Sequence, residues 1–129
     1  MAQSGPASPA ELEAMTELAG CLPEANALMA DHVGDYGELI PDVLMADLRR
    51  LFVDLAEAHE DGKVAIFLAA VERLAVSSDD RVRNIVEVSF VEDLVLGMDA
   101  QSRRAIETTR SSMGPATAAA LAISQRADG

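Results

Sequence analysis

The sequence contains one cysteine, no tryptophan, one tyrosine and three phenylalanines among its 129 residues. The single cysteine, Cys21, cannot form an internal disulfide, so we expect a reducing compartment, the cytoplasm. The scarcity of aromatic rings leaves few platforms on which bases could stack. The sequence also lacks a run of about 18 apolar residues and a cationic, apolar leader, so we expect no membrane span and no targeting segment.

Basic side chains are scarce as well. The chain has 10 Lys and Arg against 22 Asp and Glu, which gives a formal net charge of -12. Binding to nucleic acid or to anionic lipid requires clustered cations, so the composition predicts neither kind of partner. The acidic charge would instead attract a basic protein. Many soluble proteins, however, carry acidic charge that serves only their solubility.

Sequence motifs for catalysis are missing too. The chain has no nucleophile elbow, no glycine-rich phosphate loop, no dinucleotide fingerprint and no Cys-x-x-Cys pair. His32 and His59 have acidic neighbours, but their spacing fits neither a helical metal site nor a calcium loop. Carboxylate pairs such as Asp31 and Asp35 are predicted to lie on solvent-facing surfaces. We therefore expect no enzymatic activity, no cofactor and no metal.

The residues that are present favour helices, because apolar side chains recur at spacings of three and four. Ser8 and Glu11 form a predicted capping box, and prolines are placed where the first turn of a helix tolerates them. Gly34 and Gly37 are predicted to end a short second helix. The predicted helices cover about 9–19, 23–33, 41–59, 63–76 and 78–94, followed by one from Asp99 or Ser102 and an alanine-rich one after Gly114 and Pro115. Ile66 is expected to be buried on a second side of its helix, and Leu121 and Ile123 are the expected apolar anchors of the last helix.

The segment 78–94 is the predicted centre of the fold. Ser77 or Ser78 is expected to cap it, and Gly97 is expected to end it in a left-handed conformation. The predicted buried stripe of this helix consists of Val82, Ile85, Val86, Ser89, Phe90 and Leu94. Arg83, Glu87 and Asp93 are predicted to lie off the stripe.

These elements predict an all-α fold in which residues 8–126 form a single domain of about six to seven helices, after a disordered tail at 1–7. Short turns favour an antiparallel bundle. The run from Asp79 to Arg83 resembles HEAT-type repeats, so a short helical solenoid is the alternative. The expected second copy of that pattern, about 40 residues away, is not convincing.

Two segments of the chain resemble a small bacterial all-helical family. Residues 37–41 read Gly-Glu-Leu-x-Pro, and residues 88–94 read Val-Ser-Phe-x-Glu-x-Leu; the resemblance covers about 22–97. Members of that family have no settled biochemical role and turn up as candidate immunity proteins. Asp42 and Asp93 stand where that family commonly has histidine and asparagine, which adds negative charge to this chain.

The resemblance and the acidic charge together favour a non-enzymatic, immunity-type inhibitor that binds a basic toxin or effector domain through acidic helix faces. The alternative is a helical scaffold or regulatory module that self-associates or binds a partner without inhibiting it. Asp47 is expected to be half-buried and paired with Arg50 or with an arginine from another helix. The predicted partner-binding residues are Tyr36, Asp42, Asp47, Glu87, Glu92 and Asp93.

Overall fold

A computed structural model describes residues 7–97 and 99–128, which form helices joined by short turns, without a strand. The α-helices are α1 (Pro9–Ala19), α2 (Pro23–Tyr36), α3 (Pro41–Glu57), α4 (Asp61–Ala75), α5 (Asp80–Asn84), α6 (Asp93–Leu96), α7 (Ala100–Thr109) and α8 (Pro115–Asp128). A π-helical segment, Ile85–Glu92, joins α5 to α6, and a 3-10 turn, Arg110–Ser112, follows α7. The predicted all-α fold is confirmed. Of the predicted tail at 1–7, only Ala7 lies inside the described residues.

The helices pack as a bundle around one core. Helix α1 contacts α3, α4 and α5 as well as its neighbour α2, while α3 contacts α7 and α4 contacts α8. In a solenoid each repeat would contact only the next one along the chain. The contacts between distant helices therefore support the bundle rather than the solenoid.

The three phenylalanines meet at the centre of this core. Phe52 of α3, Phe67 of α4 and Phe90 of the π segment are completely buried. Their ring centroids lie 5.2 Å apart for Phe52 and Phe90, 5.7 Å for Phe52 and Phe67, and 5.9 Å for Phe67 and Phe90. Aromatic rings attract one another at such separations, so this cluster ties α3, α4 and the π segment together.

The caps of the helices are partly as predicted. The Ser8–Glu11 capping box is present, since Ser8 Oγ accepts from the Glu11 amide and Glu11 Oε1 accepts from the Ser8 amide. The cap of α5 is Asp79, whose Oδ1 accepts from two amides of the first turn, so the choice of Ser77 or Ser78 was wrong. Gly97 has a right-handed φ of -58°, which also corrects its predicted left-handed conformation.

Helix α2 is longer than predicted. It continues through Gly34 to Tyr36 and ends at Gly37, which has a φ of 77°. A left-handed residue at this position is the usual end of an α-helix and favours glycine. Ala27, Ala30 and Val33 are exposed, because α2 packs on the bundle through other residues, including Ala25 and His32.

Two other predictions about exposure and turns were wrong. The turn between α3 and α4 uses His59, which has a φ of 58°, and α4 already begins at Asp61 rather than after Gly62. Ile66 and Ile123 were expected to be buried, but 49% and 60% of their surfaces are exposed. The bundle therefore leaves more apolar surface in solvent than the sequence pattern suggested.

Candidate protein-binding surface

The helix at the centre of the fold changes its winding in the middle. We call α5, the π segment and α6 the central helix, because they follow one another without a break from Asp80 to Leu96. A π-helix forms hydrogen bonds between residues five apart, so such residues lie on the same side of the helix, one turn apart. In an α-helix they would be about 140° apart around the axis.

This winding explains the burial pattern of the π segment. Ile85 and Phe90 are both buried, and so are Val86 and Val91. Glu87 and Glu92, the third pair at this spacing, are both exposed. The π winding therefore places the two glutamates on the same side of the central helix.

Glu87 and Glu92 line a groove between the central helix and α8, with a volume of about 650 Å³. We call it the α8 groove. Its lining residues are Ala75, Glu87, Val88, Glu92, Leu96, Ala116, Ala119, Ala120, Ile123, Ser124 and Ala127. Apart from the two glutamates and Ser124, all of these are apolar. Three of them are large and partly exposed, namely Val88 at 38%, Leu96 at 50% and Ile123 at 60%.

Seven acidic side chains of the described residues are neutralised by an arginine or by the lysine, and those of the groove are not among them. Of the ion pairs formed by the described residues, none includes Glu87 or Glu92. These pairs are Arg50–Asp47, Lys63–Glu24, Arg73–Glu17, Arg81–Glu11, Arg83–Asp80, Arg104–Glu57 and Arg110–Glu107. No Lys or Arg lines the groove either.

The α8 wall of the groove is held in place by Glu72 of α4. Glu72 Oε1 accepts from the Thr117 amide at 2.9 Å and from Thr117 Oγ1 at 2.8 Å, and Oε2 accepts from the Ala116 amide at 2.9 Å. Partial burial raises the pKa of the Glu72 carboxyl, but the hydrogen bonds from Thr117 and Ala116 outweigh it and hold the pKa below its ordinary value. Glu72 thus caps α8 from another helix, and Leu121, which is 1% exposed, anchors α8 in the core.

Asp42 lies on another side of the central helix. Its Oδ1 accepts a hydrogen bond from Ser89 Oγ at 3.0 Å, which joins the start of α3 to the π segment. Asp42 directly follows residues 37–41, so the two segments that carry the resemblance, 37–41 and 88–94, are linked through this bond.

Tyr36 lies at the corner between α2 and α3. It is 54% exposed, and its ring lies 4.8 Å from that of His32, one turn earlier. The buried His32 accepts the Ile40 amide at Nε2, at 2.9 Å, so it holds this corner together. The role of Tyr36 in binding stays a prediction.

Asp47 and Asp93 are both half-buried. Asp47 pairs with Arg50, one turn later in α3, as the sequence suggested. Asp93 begins α6 but does not line the groove. The predicted partner-binding residues therefore do not form one surface: Glu87 and Glu92 share the α8 groove, and the other four lie elsewhere.

The large apolar residues that line the groove were not predicted from the sequence as part of a binding surface. Ile123 had been assigned to the core, while Val88 and Leu96 had been assigned to no surface. One signal was available, since the central helix carries more large apolar residues than a single buried stripe can take. The sequence does not indicate the π winding of this helix. Without that winding, Glu87 and Glu92 would not lie on the same side.

The remaining chemistry of the described residues is sparse. Among them, no three His, Cys, Asp or Glu side chains come close enough together to hold a metal ion. Burial raises the pKa of the half-buried Cys21 thiol, which lowers the fraction of reactive thiolate. Within residues 7–97 and 99–128, every helix is too short or too polar to cross a membrane.

Comparison with other proteins identifies a family without a described activity. Neither the curated proteins nor the solved structures include a match to this chain. The sequence model of one protein family, a domain of unknown function (DUF7674), matches residues 15–121. This match extends beyond the 22–97 over which we noted a resemblance, and it takes in the first half of α8. The chain belongs to the DUF7674 family.

Proposed function

We propose that this protein is a non-enzymatic inhibitor of the immunity type, which binds and neutralises a basic toxin or effector domain through its acidic helix faces. The observation that supports this most is the pair Glu87 and Glu92, exposed beside apolar surface and outside the ion pairs of the described residues. A partner that supplies cations there would satisfy charges that the chain itself leaves in solvent.

The charge of the whole chain supports the same proposal. A net charge of -12 raises the rate at which a basic protein is encountered and disfavours acidic partners. Apolar contacts next to the charges would then slow dissociation, because buried apolar anchors carry much of the binding energy at protein interfaces. The alternative, a scaffold or regulatory module, uses the same surface but leaves the partner active.

The test begins by isolating the partner from a native lysate and identifying it by mass spectrometry. The partner is then expressed alone and together with this chain, and cell growth is measured. The proposal expects arrest by the partner alone and rescue by coexpression. A partner that is harmless by itself, or one whose activity persists in the complex, would favour the scaffold instead.

Matched variants connect the rescue to the acidic surface. Replacing Glu87, Glu92 and Asp93 by Gln, Gln and Asn should slow association and flatten its dependence on salt, since exposed charges act over about one Debye length. The control replaces Glu13, Asp31 and Asp54 by Gln, Asn and Asn, which removes equal charge from exposed positions outside the ion pairs of the described residues. If both variants associate at the wild-type rate at low salt, the acidic surface is not the binding site.

A further inference from the structure

We infer that the α8 groove receives one amphipathic helix of the partner, with its apolar face on Val88, Leu96 and Ile123 and with basic side chains on Glu87 and Glu92. This inference rests on the proposed function, because it names the part of the partner that the acidic surface recognises. The sequence-based prediction grouped Glu87 and Glu92 with Asp42 and Tyr36 as partner-binding residues. The groove excludes Asp42 and Tyr36.

The shape of the groove favours a helix. Its main walls are the central helix and α8, and Ala75 of α4 also lines it, so a third helix can lie between the two walls with its side chains in the gaps. Five of the lining residues are alanines, from Ala75 on α4 to Ala127 near the end of α8. Such small side chains let the axis of an incoming helix come close. Within the described residues there is no strand, so no sheet edge is offered to an extended peptide.

The charge of the groove decides which helix fits. Glu87 and Glu92 stand beside apolar surface, and no Lys or Arg lines the groove. A neutral or acidic helix would cover these carboxylates without pairing them, which costs free energy. Lys or Arg at neighbouring positions of the incoming helix would instead form ion pairs that binding partly shields from water.

A second copy of this chain is a poor occupant. In a symmetric dimer the same surface faces itself, so the glutamates of one copy would approach those of the other. With no cation lining the groove to compensate, this contact would be repulsive. An anionic membrane is disfavoured by the same charges.

The α8 groove can be tested without knowing the natural partner. The probe is a synthetic peptide of about 18 residues, long enough to form a helix, with leucines on one face and arginines flanking them. The controls are a peptide with glutamate in place of arginine and a peptide of identical composition in scrambled order. Binding is measured by isothermal titration calorimetry and located by methyl chemical shifts. Only the first peptide should bind, and the shifts should fall on Val88, Leu96 and Ile123.

Variants of the full chain separate groove binding from general attraction to an acidic protein. Ala119→Trp should fill the groove and abolish peptide binding, while Ala30→Trp, at an exposed position of α2, should leave it intact. The double variant Glu87→Gln and Glu92→Gln should bind about tenfold more weakly. Its charge-matched control, Glu13→Gln with Asp54→Asn, should stay within about twofold of the wild type.

The results distinguish this inference from the proposed function. Equal binding of the scrambled peptide, equal loss in both charge variants, or dimerisation through the groove would overturn the helix inference. The helix inference would also be overturned if the captured partner inhibits growth and is neutralised by the Ala119→Trp variant as well as by the wild type. In that last case the proposed function stands and the site lies elsewhere.

Discussion

Ser89 and Asp42 are hydrogen-bonded although they are 47 positions apart in the sequence, with 3.0 Å between Ser89 Oγ and Asp42 Oδ1. Ser89 is 7% exposed and lies on the π segment, whereas Asp42 is exposed in the first turn of α3. The bond therefore joins a buried hydroxyl to a solvated carboxylate. It fixes the start of α3 against the middle of the central helix.

We predict that Ser89→Ala lowers the free energy of unfolding by about 1 kcal/mol, because Asp42 can return to water when the hydroxyl is removed. Asp42→Asn should cost less than Asp42→Ala, because the amide oxygen still accepts the bond. Urea denaturation of the single and double variants measures the coupling. Additive effects of Ser89→Ala and Asp42→Ala would show that the bond contributes nothing to stability.

Among the side chains of the central helix, Phe90 is expected to cause the largest loss of stability when it is truncated. Phe90→Ala should cost about 3 to 5 kcal/mol, because it leaves a cavity between Phe52 and Phe67. Val88→Ala on the same π segment is the control and should cost less than about 1 kcal/mol, since Val88 is 38% exposed. Similar losses for the two variants would contradict the assigned orientation of the segment.

The cap on α8 should make stability depend on pH. The pKa of Glu72 is lowered in the folded chain, so its contribution is present above the unfolded pKa, about 4.3, and is lost as the pH falls through the folded pKa. Glu72→Gln should therefore cost about 1 kcal/mol at neutral pH and progressively less in acid. Urea unfolding of both proteins from about pH 7 to about pH 3 checks this.

A matched control distinguishes the cap from general acid effects. Glu13→Gln removes an exposed carboxylate that is in none of the hydrogen bonds or ion pairs of the described residues. This variant keeps the Glu72 cap, so its stability should fall in acid as that of the wild type does. If the cost of Glu72→Gln is the same at every pH, the carboxylate charge is not what stabilises α8.

The two glycines of the α2 end should respond to alanine with opposite signs. Gly34 lies inside α2, and a methyl group there would meet nothing within 4 Å, so Gly34→Ala should add about 0.5 to 1 kcal/mol of stability. Gly37 has a φ of 77°, so Gly37→Ala should cost about 1 to 2 kcal/mol. Thermal unfolding followed by circular dichroism measures both, and equal signs would contradict the assigned helix end.

Local sequence signals predicted much of this fold because they depend on neighbouring residues. The Ser8–Glu11 box, the prolines at 23, 41 and 115 and the apolar stripe of α3 act within one or two turns of their own helix. The exposure of Ile66 and Ile123 depends on which helices happen to cover them. That information is spread over the whole bundle and is not carried by the helix itself.

The candidate site was harder to predict for the same reason. Glu87 and Glu92 were predicted to bind a partner because of their charge. Only the π winding places them on the same side of the central helix. The Glu72 cap joins residues 44 and 45 positions apart, and no local pattern marks it. Asp42 was chosen from the sequence as a contact residue, and the bundle uses it in a bond to Ser89, whereas Asp47 pairs with Arg50 inside its own helix, as predicted.

Because residues 85–92 are wound as a π-helix, a short fragment of the chain cannot reproduce the surface formed by Glu87 and Glu92. A free peptide spanning 78–97 would gain the usual α-helical hydrogen bonds, because the packing that holds the wider turns is gone. Glu87 and Glu92 would then diverge by about 140°. We predict that such a peptide neither binds the arginine-rich probe in a one-to-one complex nor competes with the full chain, as titration calorimetry would show. Mimics of this surface would have to reproduce the bundle, not just the helix.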